Sequence, residues 1–213
     1  MFEGHKAKRA AEEQAAAVKA WSHEAAALQA QLDEARSFAG TTTNALIVLK
    51  RGEVCFASVR ECALVEARRG AGQWEGRSRG VSIPVLRTPL GPVRYRVGSS
   101  RGHYEAGPEV LQPVDSGTMS ITNARVVFAG QKTTRECLFS KLVSYEHYSD
   151  ATSFSVSNRQ KPTTIRYGVA LGPEIHFRFE LALAHFRDDV ATLITQLESE
   201  LTALQNRRPA GLL

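Results

Sequence analysis

A single change of apolar period divides this chain. Over residues 2–38 there is no proline, the only glycine is Gly4, and alanine dominates, a composition whose intrinsic propensity favours one long helix. About 37 residues at 1.5 Å each extend roughly 55 Å. Ala7, Ala11, Val18, Trp21, Ala25, Leu28, Leu32 and Ala35 recur at spacings of three and four, interrupted only at Gln14, which makes a heptad seam. Half of its members are alanines, so it buries little area per turn. Val18, Trp21, Leu28 and Leu32 are therefore the candidates for contact, either with a second copy of the chain or with the chain's own main domain.

Gly40 suits the position just past a helix end, and the Thr/Asn run behind it cannot sustain a helical face. The boundary separates a helical arm, 1–40, from a domain, 41–213. Beyond it the period falls to two. Short runs of β-branched and aromatic residues alternate with turn residues, giving candidate strands at 53–68 (bent midway), 81–86, 93–97, 118–122, 125–129, 133–139, 142–147, 153–157, 163–167 and 174–181. They form a mostly antiparallel meander. Thr122-Asn123-Ala124 offers an asparagine for a positive-φ turn, and Gly130-Gln131 offers a glycine. A last helix over 185–206 carries Phe186, Val190, Leu193, Leu197, Leu201 and Leu204 on one stripe and caps the sheet. The class is α+β, mainly β.

The longest strongly apolar run, 45–49, is five residues, against about 20 for a membrane-crossing helix. The first residues are charged and alanine-rich and lack the apolar core of a secretory signal, so the expected location is the cytoplasm, at most peripheral to the inner face of the membrane. Cys55, Cys62 and Cys137 are an odd number without metal spacing and read as reduced core thiols. The charge is uneven. Residues 41–185 hold 19 Lys/Arg, 15 of them Arg, against 12 Asp/Glu, while both flanks are slightly acidic. Eight arginines (68, 69, 77, 79, 87, 94, 96, 101) fall in a stretch whose only acid is Glu75, and such a stretch suits an anionic surface.

Two local motifs add to this. Leu49-Lys50-Arg51-Gly52-Glu53 with Leu64-Val65-Glu66 looks like the opening strand of GRAM-type domains. Residues 117–128, a strand, a Thr122-Asn123 turn and then Arg125-Val126-Val127-Phe128, carry the closer likeness. On these residues the chain resembles bacterial PH-like and GRAM-like domain proteins, and the stretches 78–82, 94–98, 132–135 and 157–161 resemble actinobacterial proteins of this layout, the likeness covering about residues 45–205. The resemblance implies an antiparallel PH-like barrel or two-sheet half-barrel closed by a C-terminal helix, with the long N-terminal helix outside it.

Motifs of turn and core speak about fold before function. An enzyme needs a nucleophile with a base, a metal cluster or a phosphate cradle. His147, beside Tyr148 and Asp150, is the one candidate base, and His176 falls on an apolar strand candidate. Neither stands near a second catalytic group in sequence, so no catalytic residue, metal ligand or cofactor is assigned. The expected function is a non-catalytic adaptor that binds a protein partner by strand addition or in a groove beside the last helix, the arm serving oligomerisation or docking. The alternative is an anionic membrane surface met by Arg68, Arg69, Trp74, Arg77, Arg79 and Arg101, the first five around the first inter-strand loop and Arg101 in a second Ser-Arg-Gly turn. Nucleic acid is a third class of partner, given the basic charge and the strand aromatics Tyr95, Tyr104 and Phe128.

Overall fold

The computed structural model describes the backbone of residues 2–42, 46–69, 73–88, 91–105 and 109–209, with side chains described outside 1–4, 6–7, 10, 43–45 and 69–108. The chain forms two compact units, residues 1–65 with 114–213, and residues 66–113. Elements run α1 (Phe2–Ser37), β1 (Cys55–Arg69), β2 (Gln73–Thr88), β3 (Gly91–Glu105), β4 (Glu109–Thr122), β5 (Arg125–Gly130), β6 (Thr134–Leu138), β7 (Leu142–Tyr148), β8 (Ala151–Val156), β9 (Thr163–Arg166), α2 (Gly172–Arg187) and α3 (Val190–Asn206). Seven strands make one antiparallel sheet in the order β6-β5-β4-β1-β9-β8-β7, and β2 pairs with β3 alone. The class is α+β and mainly β, as expected.

The first strand lies at the middle of its sheet. Its expected bend is at Glu61, whose φ of 58° interrupts the extended backbone, and beyond it Ala63, Leu64 and Val65 face Arg166, Ile165 and Thr164 of β9. The sheet is strongly curved. In a flat sheet β6 and β9, four strands apart, would be separated by about 19 Å, yet the Thr163 hydroxyl is near enough to the Cys137 sulfur to donate to it. Phe128, Phe154, Met119, Ile121 and Ile165 fill the concavity, each essentially without exposure. The three cysteines are free and buried, and burial pushes the Cys62 thiol up to about 11.

One ionic knot joins the start of β1 to the far side of the sheet. Glu53 accepts hydrogen bonds from Arg125 Nε (2.7 Å) and Nη2 (2.9 Å), the Thr122 hydroxyl (2.7 Å) and the Lys50 main-chain N–H (2.7 Å). Arg125 Nη1 donates onward to Glu136 at 2.5 Å, where Lys50 Nζ also arrives at 3.0 Å. Burial by itself would raise the Glu53 carboxyl. The guanidinium, the amide and the hydroxyl overcome it and hold the group down at about 2, because every one of them favours the charged form.

Both turns expected to use positive φ do something else. Asn123 is absent from the left-handed region; its side chain accepts from the Val54 N–H at 3.0 Å and donates to the Gly52 carbonyl at 3.3 Å, stitching two chain segments. Gly130 is also outside that region. What it supplies is space, because a Cβ there would lie 2.3 Å from Asp115 Oδ2. That carboxylate accepts from the main-chain N–H groups of Lys132 and Thr133 and so closes the β5–β6 turn. Gly40 does follow the expected pattern, with φ of 86° just past α1.

The expected strand at 174–181 and single helix at 185–206 are corrected to two helices. α2 begins with Pro173 in its first turn, and the chain breaks at Asp188 (φ 55°) before α3. Ile175-His176-Phe177-Arg178-Phe179-Glu180-Leu181 alternates like a strand because α2 is covered on more than one side. Phe179 meets Phe139 and Phe154 of the core, while Arg178 pairs with Glu34 of α1. A helix buried on several faces loses the 3.6-residue stripe by which it is recognised.

The heptad seam is used within the chain. Leu32 and Ala35 are buried, Leu28 and Phe38 pack on the core, the Trp21 indole donates to the Leu204 carbonyl of α3 at 2.9 Å, and Arg36 reaches Glu198 at 2.7 Å. Val18 is half-buried at the outer end of this contact. Leu32→Ala is expected to cost about 2–4 kcal/mol in urea denaturation, the range for a buried leucine. Arg125→Met, which strands the Glu53 carboxylate, should cost about 3–5 kcal/mol. Since Glu53 titrates below its ordinary 4.5 in the folded chain, its contribution is complete above that value and drains as pH falls toward 2; Glu53→Gln should flatten this acid limb.

Candidate functional site

β7 is the last strand of its sheet: it pairs with β8 on one side, Tyr145 opposite Phe154 and His147 opposite Thr152, and among the described residues no strand pairs with its other side. Alternation along it sends Tyr145 and His147 toward α2 and Tyr148 (45% exposed) outward, while an irregularity of register between Leu142 and Ser144 leaves Val143 (69%) exposed as well. α2 packs on the inner face of β7, where His176, Phe179 and Glu180 meet His147 and Tyr145. The Tyr145 ring packs on Phe179 at 4.7 Å between centroids, and its hydroxyl donates to Glu180 Oε2 at 3.0 Å.

Beneath this edge sits a polar cluster drawn from four elements. The His147 and His176 rings stack at 4.1 Å. His147 Nδ1 shares a proton with the Thr152 hydroxyl at 2.9 Å, and that hydroxyl meets the Tyr167 hydroxyl at 2.8 Å. His147 Nε2 lies 3.4 Å from Glu180 Oε1, too long for a strong hydrogen bond, and it and His176 Nε2 are buried without a hydrogen-bond partner. Burial, then the adjacent His147, lowers the His176 imidazole below its ordinary 6.5, against the pull of the Tyr148 carbonyl and Glu180. Burial and the Glu180 carboxylate push the Tyr145 phenol up to about 12.

Sequence spacing treated the two histidines as unrelated. The fold brings them into contact because 176 lies on a helix and not on a strand. Hydroxyl, imidazole and carboxylate in series have the composition of a nucleophilic triad, but Thr152 is 1% exposed and its hydroxyl is held between His147 and Tyr167. As folded, it meets no dissolved substrate. The cluster is a packed imidazole pair fixing α2 against β7 and β8.

The arginine candidates are placed differently from the expectation. Arg68 ends β1 on the surface. The side chains of Arg69, Trp74, Arg77, Arg79 and Arg101 lie outside the described residues, but their backbone belongs to β1, β2 and β3 rather than to an inter-strand loop. Ser78-Arg79-Gly80 and Ser100-Arg101-Gly102 are not turns. They lie in mid-strand and meet only at their serines, Ser78 opposite Ser100, with Arg79 opposite Ser99 and Arg101 opposite Arg77. The strands expected at 81–86 and 93–97 are the outer parts of a far longer hairpin.

Among the described residues no group of three His, Cys, Asp or Glu side chains is arranged to hold a metal ion, and no helix is long and apolar enough to cross a membrane. No protein-family model matches the chain, and comparison with curated proteins and with solved structures gave no match.

Below the ordinary 6.5 the unfolded chain takes up a proton at residue 176 before the folded chain does, so the stability this histidine supports is complete above that value and drains as pH falls. Thermal midpoints measured from about pH 8 to 5.5 should drop in the native chain, and less steeply in His176→Gln. Parallel slopes for the two would rule out the cluster as the source.

Proposed function

We propose that this chain is a non-catalytic binding module on a PH-like scaffold that recognises an extended segment of a protein partner along β7, beside α2. The scaffold reading is supported by strand order: β1, bent at Glu61, is shared by the β4-β5-β6 and β7-β8-β9 meanders, and helices follow the last strand. This is the layout that the resemblance of residues 117–128 implies. The recognition reading rests on one observation, that β7 ends the strand order while its inner face is packed on α2. An added strand gains main-chain hydrogen bonds from the edge. Val143 and Tyr148 supply apolar area, and Glu146, whose carboxylate accepts from the Tyr148 hydroxyl at 2.6 Å, supplies a charge that selects among segments.

The packed pair beneath serves this role by fixing α2 against β7. A photo-crosslinking side chain at position 143 in the native cell should yield discrete protein adducts, identified by mass spectrometry, while the same group at Thr195, exposed on α3, should not. Absence of adducts at 143, or the same adducts from both positions, would defeat this reading.

A further inference from the structure

The unit formed by residues 66–113 holds eight arginines and four acids, a net of +4 in a chain whose total is +5. Within β2 and β3 the cations are all arginine, and between residues 76 and 104 there is no acid. These two strands form a hairpin of 16 and 15 residues, about 50 Å long at 3.3 Å per residue. Two-stranded ribbons are marginal by themselves. This one also places Arg77 directly opposite Arg101, where like charges repel.

The register sorts the arginines further. Residues opposite one another share a face, and faces alternate along a strand. Arg77 and Arg101, with Arg79 opposite Ser99, fall on one face in the half of the ribbon away from the 88–91 turn. Arg96 opposite Ser82, Arg94 opposite Pro84, and Arg87 opposite Pro92 past the register shift fall on the other face in the half nearest it. Arginines thus lie on both faces of a ribbon that twists along its length. A groove walled by two phosphate strands meets both. The major groove of B-form DNA is about 12 Å wide and admits a two-stranded ribbon, whereas that of A-form RNA is too narrow. Guanidinium forks suit phosphate oxygens and the O6/N7 edge of guanine.

We propose that the β2–β3 ribbon is a DNA-binding arm that enters the major groove of the duplex, its two arginine trios engaging the phosphate strands on either side. This is independent of the β7 edge and adds a second class of partner to the chain.

Fluorescence anisotropy of the full chain with a 25-base-pair DNA duplex, at about 50 to 200 mM salt, tests it. Binding should weaken steeply with salt, with a log–log slope of about −3 to −5, as expected for three to six phosphates neutralised. R77Q/R79Q/R101Q and R87Q/R94Q/R96Q should each weaken binding at least tenfold at about 100 mM salt and each reduce the slope by about 2 to 3, with thermal midpoints unchanged. Without any variant, the major-groove ligand methyl green should displace the chain and the minor-groove ligand netropsin should not. No binding at about 50 mM salt, a loss in only one of the two triple variants, or sedimentation with phosphatidylserine vesicles by a chain that ignores the duplex would overturn the proposal, the last two in favour of a flat membrane surface.

Discussion

The buried contact between Glu53 and Arg125 holds the chain at the point where its topology is most demanding. β1 must pair with strands that follow it by about fifty residues on one side and a hundred on the other, and its start has to be pinned before either pairing is in register. Glu53 gathers donors from Lys50, Thr122 and Arg125, and Arg125 passes the link on to Glu136 of β6. A charge this deep is tolerated because each carboxylate oxygen is saturated with donors. The same saturation makes the arrangement specific: a register slip of one residue would turn Arg125 to the other face and leave the carboxylate alone.

The helices perform a second task. α1 lays its sparse seam against α3, and α2 is packed between the sheet and α1, so the strand-like run at 175–181 is covered on several sides. This leaves β7 at the end of the strand order with α2 on its inner face, and it places two histidines face to face. The stack of His147 and His176, with Tyr145 and Glu180 beside it, fixes α2 against β7.

Much of this was legible from residue patterns, and the exceptions share a cause. Strands β5 to β9 were expected to within a residue or two, because most of them have one wet face and alternate, whereas only the last five residues of β4, 118–122, were expected of a strand that begins at Glu109. The seam of α1 was visible for the same reason. α2 was missed because burial on several faces erased its period, and the stacked histidines were missed with it. Asn123 and Gly130 were identified as turn residues for a conformational reason, whereas their work is steric and hydrogen-bonding: one ties Gly52 and Val54 together and the other makes room for Asp115.

Local physics alone sets the helical arm, the change of period after Gly40, the alternating strands and the concentration of arginine in one segment, since propensity, solvation and charge act over a few residues and need no partner. Tertiary packing decided that the seam folds back on α3, that Glu53 meets Arg125 across some seventy residues, that the Ser-Arg-Gly repeats meet at their serines in mid-ribbon, and which strand edge stays open. Those outcomes depend on contacts between segments far apart in sequence, where the favourable energy of closing a long loop appears only once the whole sheet is in place.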